Sequence, residues 1–576
     1  MPALGSFQQA VSERCGLQLQ VTKTEVYSQD ELQEADLQGM KRAGVELDGV
    51  FYPGFVCYGI PIGHRVYVRE ELENKAAEVV EQMEEVATIL SEDNQALWVV
   101  VHRSLAHKMD YHLSLSYPSD ILPVLAYLDT ELWKAMERAV GQLVPRTNLG
   151  WGYEWTLDIP VDTMATCSFQ ELFIRSPIKL RGFGLRSMVQ STPAAFIGAL
   201  ERSLYAFTGE DGICRKLEPI LGGGGEGEEW WRALMASDTR TGDEFAEAWR
   251  VLQAEAEQCC DYLGRELDGA LHTGPAIAGN LEDGKSSRQE VTEQREELRE
   301  AVMREVLLRH PDQSARPAIA YPQLDKVSTA WKLALPGPTT GLTSPVFKEV
   351  MAMHLFLPSP ACASVLGQSV GKKGAVVGAY GDEVMTAHLP EDSWRWRHDE
   401  VKLAIMNLCN NSMIRCDAEI FGIFRDLIPP ELTREGGELQ YGRQRVGLTP
   451  DLLLRLPTAD GVKDCLGELK CISAGVSRYP PGKTEKQTDR RGRQLPGEYR
   501  RPLQRLDREV RGTPPGQTGA LEARLQSYGE LQCYVAGAWA DCSSHLHSLL
   551  QACTERRVEH LWSGPRAART WRDRCR

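Results

Sequence analysis

Apolar positions recur with a helical period along most of the chain and alternate with a strand period in two places. Residues 50–63 read as short strands, punctuated by Tyr52-Pro53-Gly54 and Gly59-Ile60-Pro61. Leu72, Val79, Met83, Val86 and Leu90 then fall on one face of a long charged helix. More helix is expected through residues 96–143, with Trp98, Leu105, Leu128 and Trp133 as large core side chains. Gly222-Gly223-Gly224-Gly225 with Glu226-Gly227 predicts a flexible linker. Trp230, Trp231, Phe245, Trp249 and Leu252 mark another helical segment. The polar stretch 278–292 is expected to be disordered. A charged helix is expected from about Glu293 to Arg309, stopping before Pro311, and a second linker from Pro336 to Pro345.

The other alternating region lies in the last third. A helix after His398 is expected to turn Val401, Ile405, Leu408 and Met413 toward a core. Asp417-Ala418-Glu419-Ile420-Phe421 follows, and then the apolar run Val446–Leu454. Pro450 has no N–H for a ladder, so it belongs at a strand edge or bend, which leaves Asp451 at an irregular point. Thr458-Ala459-Asp460-Gly461 is a hairpin turn signal. On the returning strand, Val462 to Ser473, alternation places Leu466, Glu468, Lys470 and Ile472 on one face. A helix from Thr518 presents Leu521, Leu525 and Tyr528 and stops at Gly529, and Leu531–Ala538 reads as a buried strand.

The length of 576 residues allows several domains. No run of about 18 apolar residues occurs, so no membrane span is expected. Met1–Gln20 lacks a basic start followed by an apolar run, which argues against a secretory signal. Fifteen scattered cysteines without any Cys-x-x-Cys argue against a disulfide framework or standard structural zinc, and for an intracellular setting, nuclear or cytoplasmic. The net charge of −15 disfavours nucleic acid as a partner, but its distribution points the other way. Lys483–Arg511 carries ten basic and five acidic residues, and Glu555–Arg576 seven and three. A basic segment directly after the Glu468-Lys470 strand is where a phosphate backbone would lie, and equally an ordinary solvated face of mixed charge.

Asp451, Glu468 and Lys470 converge if Asp451 lies opposite Glu468 across the hairpin. Two carboxylates suit Mg²⁺ or Mn²⁺, hard cations that polarise a phosphate and acidify a bound water. A neighbouring lysine can orient that water and stabilise developing charge. Glu419 is a candidate for a further metal contact, and Arg490, Arg491, Arg500 and Arg501 for backbone contacts. The same residues also fit a purely structural role, with Asp451 capping a turn and Glu468 and Lys470 forming a same-face ion pair. Helix, strand hairpin, helix and strand is the order of a restriction-endonuclease-like core of the PD-(D/E)XK type.

In its order of blocks the chain resembles open reading frames of non-LTR retroelements that join a reverse transcriptase to a restriction-like endonuclease. Gly16–Glu25 looks like the segment after the polymerase's catalytic aspartates, and Tyr58-Gly59-Ile60-Pro61-Ile62-Gly63 like the primer-side hairpin. Arg181–Ser187 with Pro193-Ala194-Ala195-Phe196 is similar to a Gly-Gly-Leu-Gly-Leu-Arg-Ser block, with Arg181 at the first glycine. Gly381-Asp382-Glu383 resembles a Gly-Asp-His zinc segment, and Arg397-His398-Asp399 the opening of the endonuclease. Pro450-Asp451 and Glu468-Leu469-Lys470 fall at the family's nuclease motif.

Two departures matter. No Tyr-x-Asp-Asp occurs, so no reverse transcription is expected of this chain, and a separate polymerase half becomes a candidate partner. The zinc segment keeps Cys362 but has Glu383 and Ala387 at usual ligands, with His388 beside them, so no zinc is expected.

These readings predict a multidomain α/β and α protein. Residues 1–221 are expected as a palm-edge and thumb remnant, and 222–344 as a helical, partly disordered linker region. Residues 345–389 follow as a degenerate zinc segment, 390–545 as the α/β nuclease core and 546–576 as a basic tail. The expected activity is a Mg²⁺-dependent DNA endonuclease. The alternatives are a non-catalytic binder of DNA or retroelement RNA, or an inactive relic.

Overall fold

The helical rhythm of the first half is realised as long helices, and only small sheets accompany them. The computed structural model describes residues 13, 26–27, 33–42, 50–51, 53–144, 169–208, 234–267, 271, 287–309, 315–337, 341–387, 393–418, 423–429, 439–441, 444–446, 450–458, 461–475, 478–480 and 485–561. The Gly16–Glu25 block, the Gly222–Gly227 stretch, Trp230, Trp231, Glu419 to Phe421, His388 and residues 562–576 lie outside the described residues. Two compact units emerge: Met1–Val306 with Leu335–Lys348, and Leu307–Ala334 with Glu349–Arg576. No described helix is long and apolar enough to cross a membrane.

In the first unit a hairpin of β1 (Gly54–Cys57) and β2 (Ile60–Gly63) leads into α1 (Arg65–Ile89). Val68, Leu72, Ala76, Val79, Met83 and Ala87 form the buried stripe of α1. Next come α2 (Asn94–Arg103), α3 (Pro118–Val140), α4 (Met188–Thr208), α5 (Arg240–Leu263) and α6 (Ser287–Arg309). The carboxylate of Asp129, buried on α3, accepts from Met188 N at 2.9 Å, from Val189 N at 3.3 Å and from Ser187 Oγ, and so caps α4. Helix α6 starts at Ser287, six residues before its expected start, because Val291 in its first turns is buried with Leu298 and Val302 against Phe245, Trp249 and Leu252 of α5. Residues 287–292 are therefore helical where disorder was expected.

The second unit holds a four-stranded sheet. Helix α7 (Ser393–Asn411) precedes β3 (Arg415–Ala418), β4 (Leu452–Thr458) and β5 (Gly461–Cys471). Then come α8 (Gln487–Arg511), α9 (Ala520–Ser527), β6 (Gln532–Ala536) and α10 (Ser544–Leu561). The strand order is β6-β5-β4-β3, parallel only between β5 and β6. On one face Leu466, Cys533 and Val535 pack against Leu495, Tyr499, Leu503 and Leu506 of α8 and Leu521 and Leu525 of α9. On the other, Leu452, Leu454, Leu469 and Tyr534 pack against Ile405 and Cys409 of α7 and Leu546, Leu549 and Cys553 of α10. The sheet is thus covered by helices on both sides, and the first part of the expected basic tail supplies one of them.

Local differences from expectation have simple causes. Helix α7 ends at Asn411, and Met413 follows in a left-handed conformation with φ 59°. That reversal leaves Met413 64% exposed and buries Ile414 in the place expected for it. Trp396, near the start of α7, is 69% exposed. The 25-residue α8 was not legible as a helix, because it contains Pro496 and Pro502 and a high density of charge.

Helix α9 begins at Ala520, two residues later than expected. Its first N–H groups are taken by a buried side chain of α8: Leu521 N donates to Asp507 Oδ1 and Glu522 N to Asp507 Oδ2, both at 3.1 Å. Asp507→Ala is expected to destabilise this unit by about 1–3 kcal/mol, since two buried donors lose their acceptor. Urea unfolding of the full chain measures it, and Asp507→Asn, which keeps one acceptor oxygen, is expected to lose less.

Candidate active site

Asp451 is the residue immediately before β4, in a bend that starts at Pro450. The register pairs Leu452 with Gly467 and Thr458 with Gly461, so one further step along the antiparallel pair sets Asp451 beside Glu468. With no strand residue there to continue the ladder, the Asp451 side chain takes over. Its Oδ2 accepts from Leu469 N at 2.8 Å. A carboxylate thereby replaces a backbone carbonyl at the end of the strand pair.

Glu468 lies on the β5 face that packs against α8 and is only 5% exposed. Its Oε1 accepts from Lys470 Nζ, two residues along the same face. Its Oε2 accepts from the Tyr499 hydroxyl of α8 at 2.6 Å. Lys470 keeps 38% of its side chain exposed, so the ammonium links the buried carboxylate to solvent. From α7, His398 Nε2 lies 3.2 Å from Leu469 O and 3.5 Å from Asp451 Oδ2, and its Nδ1 lies 3.1 Å from Asp399 Oδ1.

The two carboxylates are driven apart in proton affinity. Burial works against ionised Asp451, but hydrogen bonds from His398 and the Leu469 N–H, together with the Lys470 charge, hold it below the ordinary aspartate value. Glu468 is raised, first by burial and then by the charge of Asp451, against the pull of Lys470 and Tyr499. His398 is raised above the ordinary histidine value chiefly by its hydrogen bond to Asp451. Adjacent carboxylates with divergent affinities are a recurring arrangement in acid–base and metal chemistry.

The structure brings together Asp451, Glu468 and Lys470 of the sequence-derived set, while Glu419 lies outside the described residues. Arg490, Arg491, Arg500 and Arg501 all lie on α8. Arg491 is paired with Glu498 at 2.9 Å and Arg500 with Glu522 at 3.3 Å. Arg490 and Arg501 have no ion pair among the described residues; Arg490 contacts Gln487 Oε1 at 3.5 Å. Sequence reasoning assigned no chemistry to His398 and missed Tyr499. A signal for Tyr499 exists: Leu495, Tyr499, Leu503 and Leu506 recur at helical spacing through the charged segment.

No group of three or more His, Cys, Asp or Glu residues among the described residues is placed to hold a metal ion. Two hard oxygen donors are nonetheless present, and Asp451 Oδ1 takes part in none of the contacts above. Magnesium, which usually keeps several waters and takes one or two protein carboxylates, suits such a pair. In the zinc-like segment Glu383 Oε2 instead accepts from Gly378 N at 3.0 Å, closing its loop by a hydrogen bond. No model of a known protein family matches the chain, and no curated protein matches it.

The sign of the pH dependence follows from these shifts. The raised pKa of His398 makes its bond to Asp451 stabilising below its ordinary value and progressively less so as pH rises through the raised one. Asp451 is depressed, so its share persists until pH falls through its lowered value. The loss of stability in His398→Gln is therefore expected to be greatest between the ordinary values of 3.8 and 6.5. Urea unfolding in EDTA at about pH 5.5 and about pH 8.5 checks it. Equal losses at both would refute the linkage.

Proposed function

We propose that the α/β layer of the second unit is a Mg²⁺- or Mn²⁺-dependent DNA endonuclease of retroelement origin. One observation carries the reading: the β4–β5 register sets the Asp451 and Glu468 carboxylates side by side, with the half-exposed Lys470 ammonium on Glu468. Asp451 and Glu468 would hold the cation. When bound, it would supply charge neutralisation at the phosphate and make a nearby water more acidic. Lys470 orients the attacking water and stabilises charge that grows on the phosphate oxygens. His398 keeps the Asp451 carboxylate aimed at the strand end, and Arg490 and Arg501 offer guanidinium groups to a nucleic-acid backbone. The resemblance to retroelement open reading frames supplies the substrate class and a separate polymerase half as partner.

A second reading, a nucleic-acid-binding protein without cleavage, is favoured by the engagement of both Glu468 oxygens by Lys470 and Tyr499. Nicking of supercoiled plasmid by the full chain separates the two. The expected result is nicking with Mg²⁺ or Mn²⁺, none with EDTA, and loss of about 100-fold or more in Lys470→Ala and in Asp451→Asn. Retained DNA binding with no cutting in any divalent metal would overturn the enzymatic reading and leave the binding one.

A further inference from the structure

We propose that Tyr499 is a positioning residue, whose buried hydroxyl fixes the Glu468 carboxylate so that it can bind a divalent cation together with Asp451. The inference rests on the nuclease reading and adds to it an element from outside the strand hairpin. A glutamate side chain has three rotatable bonds, and its carboxylate plane is loosely held unless both oxygens are tethered. Here both are. Lys470 holds Oε1 from the same strand, and Tyr499 OH donates to Oε2 at 2.6 Å from α8, the helix on that face of the sheet.

The two tethers differ in stiffness. Lys470 reaches Glu468 through a flexible, partly exposed side chain. Tyr499 has a rigid ring, is 7% exposed, and packs beside Leu495, Leu503 and Leu506 in the core. Helix α8 is itself pinned at both ends. Gln487 N donates to Gln323 Oε1 at 2.7 Å, and Arg511 Nε donates to Leu427 O at 3.1 Å. The hydroxyl is thus held by the fold, and it holds the carboxylate in turn. Groups that orient a ligating carboxylate from behind typically contribute 10- to 100-fold in metal affinity.

The test uses the full chain and Mn²⁺ as probe, followed by the loss of its free-ion electron paramagnetic resonance signal. Tyr499→Phe, which keeps the ring, and Tyr499→Leu, which keeps an apolar contact in α8, are each expected to weaken Mn²⁺ binding about 10-fold. Thermal unfolding in EDTA identifies which variants are folded. In a Glu468→Gln background the same substitutions are expected to change Mn²⁺ affinity no further, which a merely structural role would not produce. Asp451→Asn marks the site. Mn²⁺ binding that depends on Asp451 but is unchanged in a folded Tyr499 variant overturns this inference alone. Absence of any Asp451-dependent binding in the unsubstituted chain overturns the nuclease reading and this inference with it.

Discussion

The second unit depends on one alignment: β4 against β5 with Leu452 opposite Gly467. Side chains on a strand alternate faces, so a slip of one residue would move Glu468 and Lys470 to the α7 side and put Leu469 in their place. Two local features hold the alignment. The close pairing of Thr458 with Gly461 fixes the hairpin's far end. At the near end, the Tyr534 ring of β6 lies over Gly467, where a Cβ would meet its Cε2 at 2.6 Å. No other residue type fits there without moving that ring, and Leu452 and Tyr534 both belong to the core on that side of the sheet.

Three buried carboxylates elsewhere in the chain make a comparison with Asp451, which is partly buried. Asp129 and Asp507 use both oxygens on the first N–H groups of a neighbouring helix. Glu255 accepts from Arg299 Nε at 2.5 Å through one oxygen and from Arg295 Nε at 3.1 Å through the other. Each of these three has both oxygens engaged. Asp451 engages Oδ2 with Leu469 N and leaves Oδ1 outside that contact and outside its approach to His398. Asp541 shares that asymmetry, since its Oδ1 accepts from Tyr479 OH and Trp539 N and its buried Oδ2 has no hydrogen-bond partner among the described residues, but Asp451 stands beside a second carboxylate.

How much of this could be read from the sequence follows from the range of each interaction. Pro450, the Thr458–Gly461 turn and the alternation around Glu468 are local, and they place the hairpin and the two carboxylates together. Tyr499 and His398 reach their partners across 31 and 71 positions, from helices whose contacts no local pattern specifies. Helix α8 was hidden because propensity counts two prolines and many charges against it, whereas burial of one leucine- and tyrosine-bearing stripe decides in its favour. Met413 shows the same limit at a helix end. Periodicity cannot tell that the chain reverses at Asn411 and turns Ile414 inward instead.

The two prolines of α8 have a mechanical consequence. Pro496 and Pro502 cannot donate to the carbonyls four residues earlier, at Gly492 and Glu498, so two rungs of the helix are missing on either side of Tyr499. A helix bends most readily where such rungs are absent. Packing stands in for the missing rungs: Leu495, Tyr499, Leu503 and Leu506 are buried in the core, so side chains hold the span between the pinned ends. Where two rungs are missing, the straightness of α8 rests on that buried stripe, and the Tyr499 hydroxyl at its centre meets the sheet at an oxygen of Glu468.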